Sequence, residues 1–245
     1  MGDARTIHKL KAKICEQAER YDDMVKEMKE LVKGIGKTDT PLDEEERNLL
    51  SVAYKNVVGS RRSAWRLLSS KSQSGTSEKQ EAILQKMLQQ VEEEVNSLCE
   101  DVLKLLDEHL IPNFENIQAK IFFLKMKGDY YRYMIEISGE KPNRDDLVKK
   151  AENAYKDAFD IAEKELPPSS PIRLGLVLNY SVFFYEIKDC PAEACELAGK
   201  QFDAALASMD DIHDTVYKDS TLIMQLLRDN LTLWTTERDN EDDDD

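Results

Sequence analysis

The chain has 245 residues, enough for one large domain or two small ones with a real hydrophobic core. Only nine glycines and seven prolines occur, and no proline lies between Pro41 and Pro112, which excludes collagen-like, low-complexity and turn-dense all-β architectures and disfavours a parallel α/β fold. With 34 basic against 49 acidic residues the net charge is −15, so a general nucleic-acid binder is excluded and any anionic ligand needs a local basic patch.

The first two predicted helices cover residues 4–18 and 21–33, with apolar residues at helical spacing: Ile7, Leu10 and Ile14, then Met24, Met28 and Leu31. Gly34, Gly36 and Pro41 mark a loop. Thr40-Pro41-Leu42-Asp43 reads as an N-cap, a proline at the first helical position and a carboxylate at the third, opening a long helix to about residue 70. After a Ser/Gly-rich polar loop from Ser69 to Ser77, Ser77 with Gln80 caps a second long helix that runs to Leu110 and stops before Pro112. Five more helices are predicted at 114–138, 144–164, 171–187, 191–208 and 215–237, two of them opened by Ser170-Pro171 and Asp189-Cys190-Pro191. No strand signal competes, so the expected fold is all-α. One domain over residues 1–236 and a disordered acidic tail over 237–245 are expected, because the final run of carboxylates repels itself.

The uncharged stretch Leu174–Tyr185 is too short to cross a bilayer, and the opening MGDARTIHKLK lacks the apolar run of a signal peptide. No membrane partner is expected, although MGDART fits the loose Met-Gly-x-x-x-Ser/Thr acylation pattern. The four cysteines, Cys15, Cys99, Cys190 and Cys195, are scattered and read as reduced thiols in a cytoplasmic protein, with the nucleus as a second compartment.

Three stretches carry candidate binding chemistry. In residues 48–68, Lys55, Arg62 and Arg66 fall within about 40° of one another on a helix at 100° per residue. Such a stripe either pairs with the abundant carboxylates or forms a phosphate site, where Arg forks and a Lys point charge meet a doubly charged oxyanion. In KMKGDYYRYM, Asp129 and Arg132 could pair at the surface, or Arg132 and Tyr133 could complete an anion cradle with the first stretch. Gly128 there interrupts a helical pattern, which often reflects a close approach by another backbone. In DSTLIMQLLRDNLTLW, Leu222, Leu226, Asn230 and Trp234 recur every four residues with Ile223 beside them, a pattern that fits either a core stripe or a binding wall. Asn230 interrupts that stripe, and Asn179 interrupts LVLNYSVFFYE on the same face as Glu186. Two amides among apolar residues would suit the backbone of an extended peptide.

At these residues the sequence strongly resembles the 14-3-3 proteins, from about residue 5 to residue 236. The resemblance rests on EQAERYDDM (16–24), EERNLLSVAYKNVVGSRRSAWR (45–66), LKMKGDYYRY (124–133), PIRLGLVLNYSVFFYE (171–186) and YKDSTLIMQLLRDNLTLWT (217–235). It implies nine antiparallel helices with tetratricopeptide-like packing, a homo- or heterodimer, and an amphipathic groove that binds phosphoserine or phosphothreonine segments of client proteins in signal transduction. It implies no catalysis, no cofactor and no metal. Lys55, Arg62, Arg132 and Tyr133 would hold the phosphate, and Asn179 and Asn230 the peptide backbone. Leu178, Glu186, Leu222, Ile223, Leu226 and Trp234 would line the groove. The dimer surface would include Ala18, Arg20, Asp23, Ala64, Leu68, Met87, Gln90 and Glu94.

Some positions depart from the family pattern. Ala64 stands where many members carry a phosphorylatable serine that weakens the dimer, so that control is expected to be absent. Met87 and Gln90 replace a common Tyr and Lys, which removes a salt bridge to Asp23; exposed bridges are typically worth under about 1 kcal/mol, so a dimer is still expected. The acidic tail reads as a solubilising terminus or as a transient occupant of the basic groove. Two rival functions carry specific features. A tetratricopeptide-like scaffold for unphosphorylated peptides is suggested by AYKDAFDIAEKELPP (154–168), though the 34-residue period of such repeats is missing. A Mg²⁺-dependent diphosphate enzyme is suggested by the DDxxD run through Asp210, Asp211 and Asp214, with no second acidic motif to complete it.

Overall fold

A computed structural model describes the backbone of residues 2–35, 40–72, 77–139, 141–209 and 214–243. Among the described residues there are nine α-helices and no strand: α1 (Gly2–Gln17), α2 (Tyr21–Lys33), α3 (Glu44–Ser72), α4 (Glu78–Leu105), α5 (Ile117–Glu136), α6 (Arg144–Glu165), α7 (Pro171–Glu186), α8 (Pro191–Ala207) and α9 (Asp214–Asp243). The chain gathers into two compact units, Met1–Leu147 and Val148–Asp245.

In the first unit α1 packs on α2, α2 on α3, α3 on α4 and α4 on α5. The α1–α2 turn is closed by Arg20 N–H donating to Cys15 O (2.8 Å) and Glu19 N–H to Glu16 O (3.0 Å), with Glu19 held at φ 54°. That Schellman geometry forces the short reversal. Met24, Met28 and Leu31 of α2 are buried with Leu50, Tyr54 and Val57 of α3, Val95 and Val102 of α4, and Ile121 and Phe123 of α5. The matching stripe on α1 behaves otherwise. Ile7, Leu10 and Ile14 are exposed, so equal periodicity leads to opposite fates.

Helix α3 begins three residues later than Thr40-Pro41 suggests. Asp43 is the true cap: its Oδ1 accepts from Glu46 N–H (2.8 Å), and Glu46 Oε2 accepts from Asp43 N–H (3.0 Å). This reciprocal pair satisfies two otherwise orphaned helix-end donors. Ser77 and Gln80 open α4 as expected, with Ser77 N and Oγ both donating to Gln80 Oε1 at 3.2 and 2.8 Å. The expected single helix to Leu110 instead widens into a π-helical turn over Leu106–Leu110, where Ile111 N–H reaches back to Leu106 O (2.8 Å). Pro112 follows, and a proline in an α-helix crowds the carbonyl four residues back; widening the preceding turn relieves that clash.

In the second unit α7 packs on α8 and α9, and α8 on α9. Leu174, Val177, Ala194, Ala198, Ala205, Met224, Leu227 and Trp234 form its core cluster. Small alanines on α8 are buried in this cluster, and a Cβ at Gly175 on α7 would meet Ile223 Cδ1 of α9 at 4.0 Å, an ordinary packing distance. Arg173 is buried without a carboxylate partner and donates to Gln201 Oε1 (2.8 and 3.1 Å) and to Leu166 O (2.9 Å), thereby capping the end of α6. Helix α9 continues past the expected end near residue 237, with helical backbone through Asp243, into the stretch read as a disordered tail. Extending a formed helix adds one hydrogen bond per residue fixed, a small step against nucleation, and the Tyr185 hydroxyl bonded to Glu237 ties the last turn before the tail. Asp244 and Asp245 lie outside the described residues. No helix among the described residues is long and apolar enough to cross a membrane.

Candidate functional site

In the first unit, one face of α3 meets the end of α5. Arg62 and Arg66, one turn apart on α3, both reach Glu136, the last residue of α5. Arg62 Nε donates to Glu136 Oε2 (2.6 Å), and Arg66 Nε to Oε1 (2.6 Å). The Arg62 guanidinium also lies 3.9 Å above the Tyr133 ring, and the Arg132 guanidinium lies 5.1 Å from it. The two cation stretches of the sequence thus converge on one aromatic ring, as the cradle alternative expects. The alternative of ordinary ion pairs also holds, since Arg62 and Arg66 are both paired internally. Lys55 is different: it is exposed and has no ion-pair or hydrogen-bond partner among the described residues.

Asp129 and Arg132 are buried rather than paired at the surface. Asp129 takes Lys125 Nζ at 2.7 Å and stands 3.8 Å from Arg132, while Lys127 turns to Asp107 at 2.7 Å. Gly128 is buried inside α5. Burial pushes the Tyr133 phenol up to about 12, with Asp129 adding to the rise and the two arginines opposing it. The hydroxyl therefore stays protonated at neutral pH, and it makes no hydrogen bond to another described residue. Arg62 and Arg132 meet at the Tyr133 ring, and Lys55 precedes Arg62 by seven residues on the same face of α3, in a chain of net charge −15. Their chemistry suits a multiply charged oxyanion with several acceptor oxygens.

In the second unit the candidate residues lie on α7 and α9. Leu178 and Ile223 are half-buried against the core cluster, whereas Leu222 and Leu226 are 65% and 45% exposed. Asn179 and Asn230 are half-buried, Glu186 is exposed, and Asn230 makes no side-chain hydrogen bond to another described residue. Trp234 is only 4% exposed and stacks on Tyr185 with ring centroids 4.7 Å apart, so it belongs to the core. The stripe changes character along its length for a geometric reason. Residues four apart advance by about 40° around a helix, so Leu222 and Trp234 are separated by about 120°. The stripe that starts in solvent ends inside.

The positions assigned to a dimer surface all lie in the first unit. Ala18, Arg20, Met87 and Gln90 are exposed; Asp23, Ala64, Leu68 and Glu94 are half-buried. Asp23 accepts from Lys26 Nζ (2.9 Å) and Arg20 Nε (2.7 Å), which together hold its carboxyl below the usual carboxylate range. Asp23 thus has two cationic partners within the chain. Glu94 accepts from Gln90 Nε2 (3.2 Å) and Arg61 Nε (3.3 Å).

Of the DDxxD run, Asp210 and Asp211 lie outside the described residues and Asp214 opens α9; among the described residues no group of His, Cys, Asp or Glu could hold a metal ion. The four cysteines are free thiols, and burial pushes that of Cys99 up to about 12. The sequence reading did not name Glu136, the carboxylate that both arginines reach. Its signal was present, since it follows Arg132 by four residues and Tyr133 by three, and so shares their helix face.

A model of the 14-3-3 protein family matches residues 11–235. The chain belongs to the 14-3-3 family. It is 52% identical to 14-3-3-like protein 2 of Caenorhabditis elegans over 246 residues, covering all of this chain and 97% of the relative. It is 53% identical to 14-3-3 protein zeta of Bombyx mori, covering 95% of this chain and 93% of the relative. To 14-3-3 protein eta of Homo sapiens it is 51% identical, covering 99% of this chain and 98% of the relative. Members of this family are regulatory adaptors rather than enzymes, and this 14-3-3 chain shares that role and its all-α fold.

Proposed function

We propose that the chain binds phosphoserine and phosphothreonine segments of client proteins, and that the cation cluster of α3 and α5 holds the phosphate. The observation that carries this reading is the meeting of Arg62 and Arg132 at the Tyr133 ring, with Lys55 and the Tyr133 hydroxyl making no ion pair or hydrogen bond to another described residue. A phosphate with a charge of about −1.5 to −2 and three acceptor oxygens can engage all four at once. An unphosphorylated serine brings no charge to meet desolvated cations, so selectivity for the modified side chain needs no catalysis. Asn179 and Asn230 hydrogen-bond the client's main chain, and Leu178, Leu222, Ile223 and Leu226 accept its apolar side chains. Glu186 flanks them, and Trp234 supports α9 from the core.

Lys55→Glu and Arg62→Ala should each weaken phosphopeptide binding by about a hundredfold or more, with helical content by circular dichroism unchanged. Wild-type affinity in either variant removes the phosphate assignment.

The chain acts as a dimer through its first unit. Supporting this are the apolar side chains Ile7, Leu10 and Ile14 on α1, Leu67 on α3, and Ile83 and Met87 on α4, all exposed. A patch of that kind seeks a partner surface. Sedimentation velocity at micromolar concentration should give the mass of two chains; the mass of one contradicts the dimer.

A further inference from the structure

Glu136 stands where local helix physics does not want it. It is the last residue of α5, where the backbone dipole leaves partial negative charge and a carboxylate is disfavoured. That last turn holds no basic residue of its own. What keeps Glu136 there is tertiary: both of its oxygens are taken by guanidinium groups of α3, Oε2 by Arg62 and Oε1 by Arg66. The two arginines differ in setting. The Arg62 side chain is mostly buried, over the Tyr133 ring, whereas that of Arg66 is largely exposed.

Resting on the phosphate-binding reading, we propose that Glu136 is a specificity-determining residue: it occupies Arg62 as an internal competitor that a phosphate dianion displaces and a carboxylate does not. An anion entering the site competes with Glu136 for the charge of Arg62, whose Nε and Nη2 both already meet Oε2. A carboxylate ligand exchanges one singly charged acceptor for another of the same geometry and sets Glu136 beside a new like charge, so nothing is gained. A phosphate dianion brings roughly a second charge and a third oxygen, which Lys55, Arg132 and the Tyr133 hydroxyl receive while Arg62 turns its fork. Arg66 then retains Glu136, so that the displaced carboxylate is not left unpaired. Glu136 thereby sets a threshold of ligand charge. Aspartate or glutamate at a client site falls below the threshold, and phosphoserine rises above it.

The test uses the full chain and two peptides of one arginine-rich sequence, one with phosphoserine and one with glutamate at the same position. Calorimetric titration of wild type gives the ratio of the two affinities. In Glu136→Gln the glutamate peptide should bind more tightly than to wild type, and the ratio should fall by about tenfold or more. Glu136→Ala, which leaves no amide behind, should shift the ratio in the same direction and serves if the first variant loses helical content. If Glu136 only holds the arginines in place, both peptides weaken together and the ratio stays at its wild-type value; that result overturns the proposal. A wild-type protein with no preference for phosphoserine overturns the phosphate reading itself, and this inference with it.

Discussion

The two compact units offer ligands opposite materials. In the first, recognition chemistry is charge held under constraint: Arg62 and Arg66 share Glu136, Arg132 is buried beside Asp129, and Lys55 stands in solvent with no partner among the described residues. In the second, the candidate residues are leucines exposed on α9 and two half-buried amides. Charge must be positioned by tertiary partners before it can discriminate, because a mobile cation in water distinguishes anions poorly. Apolar surface and amides need only a rigid helix to present them. Substitutions in the first unit should therefore change selectivity at constant fold. Substitutions in the second should divide sharply between exposed residues that affect binding and buried ones that affect stability.

The largest expected effect lies in the second unit. Trp234 is 4% exposed and stacked on Tyr185, so Trp234→Ala should lower the unfolding free energy by about 3–5 kcal/mol, measured by urea denaturation. A loss of phosphopeptide affinity in that variant without loss of stability would return Trp234 to the binding surface and break the division. Arg62→Ala is its counterpart, losing binding far more than stability, since Arg66 still holds Glu136.

The smallest effect concerns how the first unit is assembled. Asp43→Ala removes the cap of α3 and should cost about 1 kcal/mol by urea denaturation. Burial tends to raise the Asp43 carboxyl, but the Glu46 amide and Lys9 outweigh it and hold it below its ordinary value. A carboxylate lowered on folding takes up its proton first in the unfolded chain. Its contribution is therefore fully present above about pH 4 and is lost as pH falls through the folded value. Wild type should lose more stability than Asp43→Ala between neutral and acid pH, and equal losses would show that Asp43 is not the cap.

Much of the fold was legible because local signals dominate it. Ser77 with Gln80 opens a helix through a capping box, and Pro171 and Pro191 each open one from the first helical position, without a side-chain cap from Ser170 or Cys190. The misreadings share a cause, which is that tertiary partners decide among equal local options. Thr40 and Asp43 are both competent caps, and Glu46 selected Asp43 by returning the hydrogen bond. The stripes on α1 and α2 have the same period, but only that of α2 finds a core within the chain. At the candidate site the cations could be read from spacing, since they fall on one helical face. Their carboxylate partner shares the helix face of Arg132 and Tyr133, but among 49 acidic residues that spacing does not by itself single it out, and folding selects Glu136.

The central claim is that the cation cluster of the first unit recognises a phosphate group. Its most direct test is a calorimetric titration of the wild-type chain with one arginine-rich phosphoserine peptide and its unphosphorylated twin. The account predicts micromolar or tighter binding of the phosphorylated peptide and no measurable binding of the twin. Equal binding of both peptides, or none of either, would contradict it.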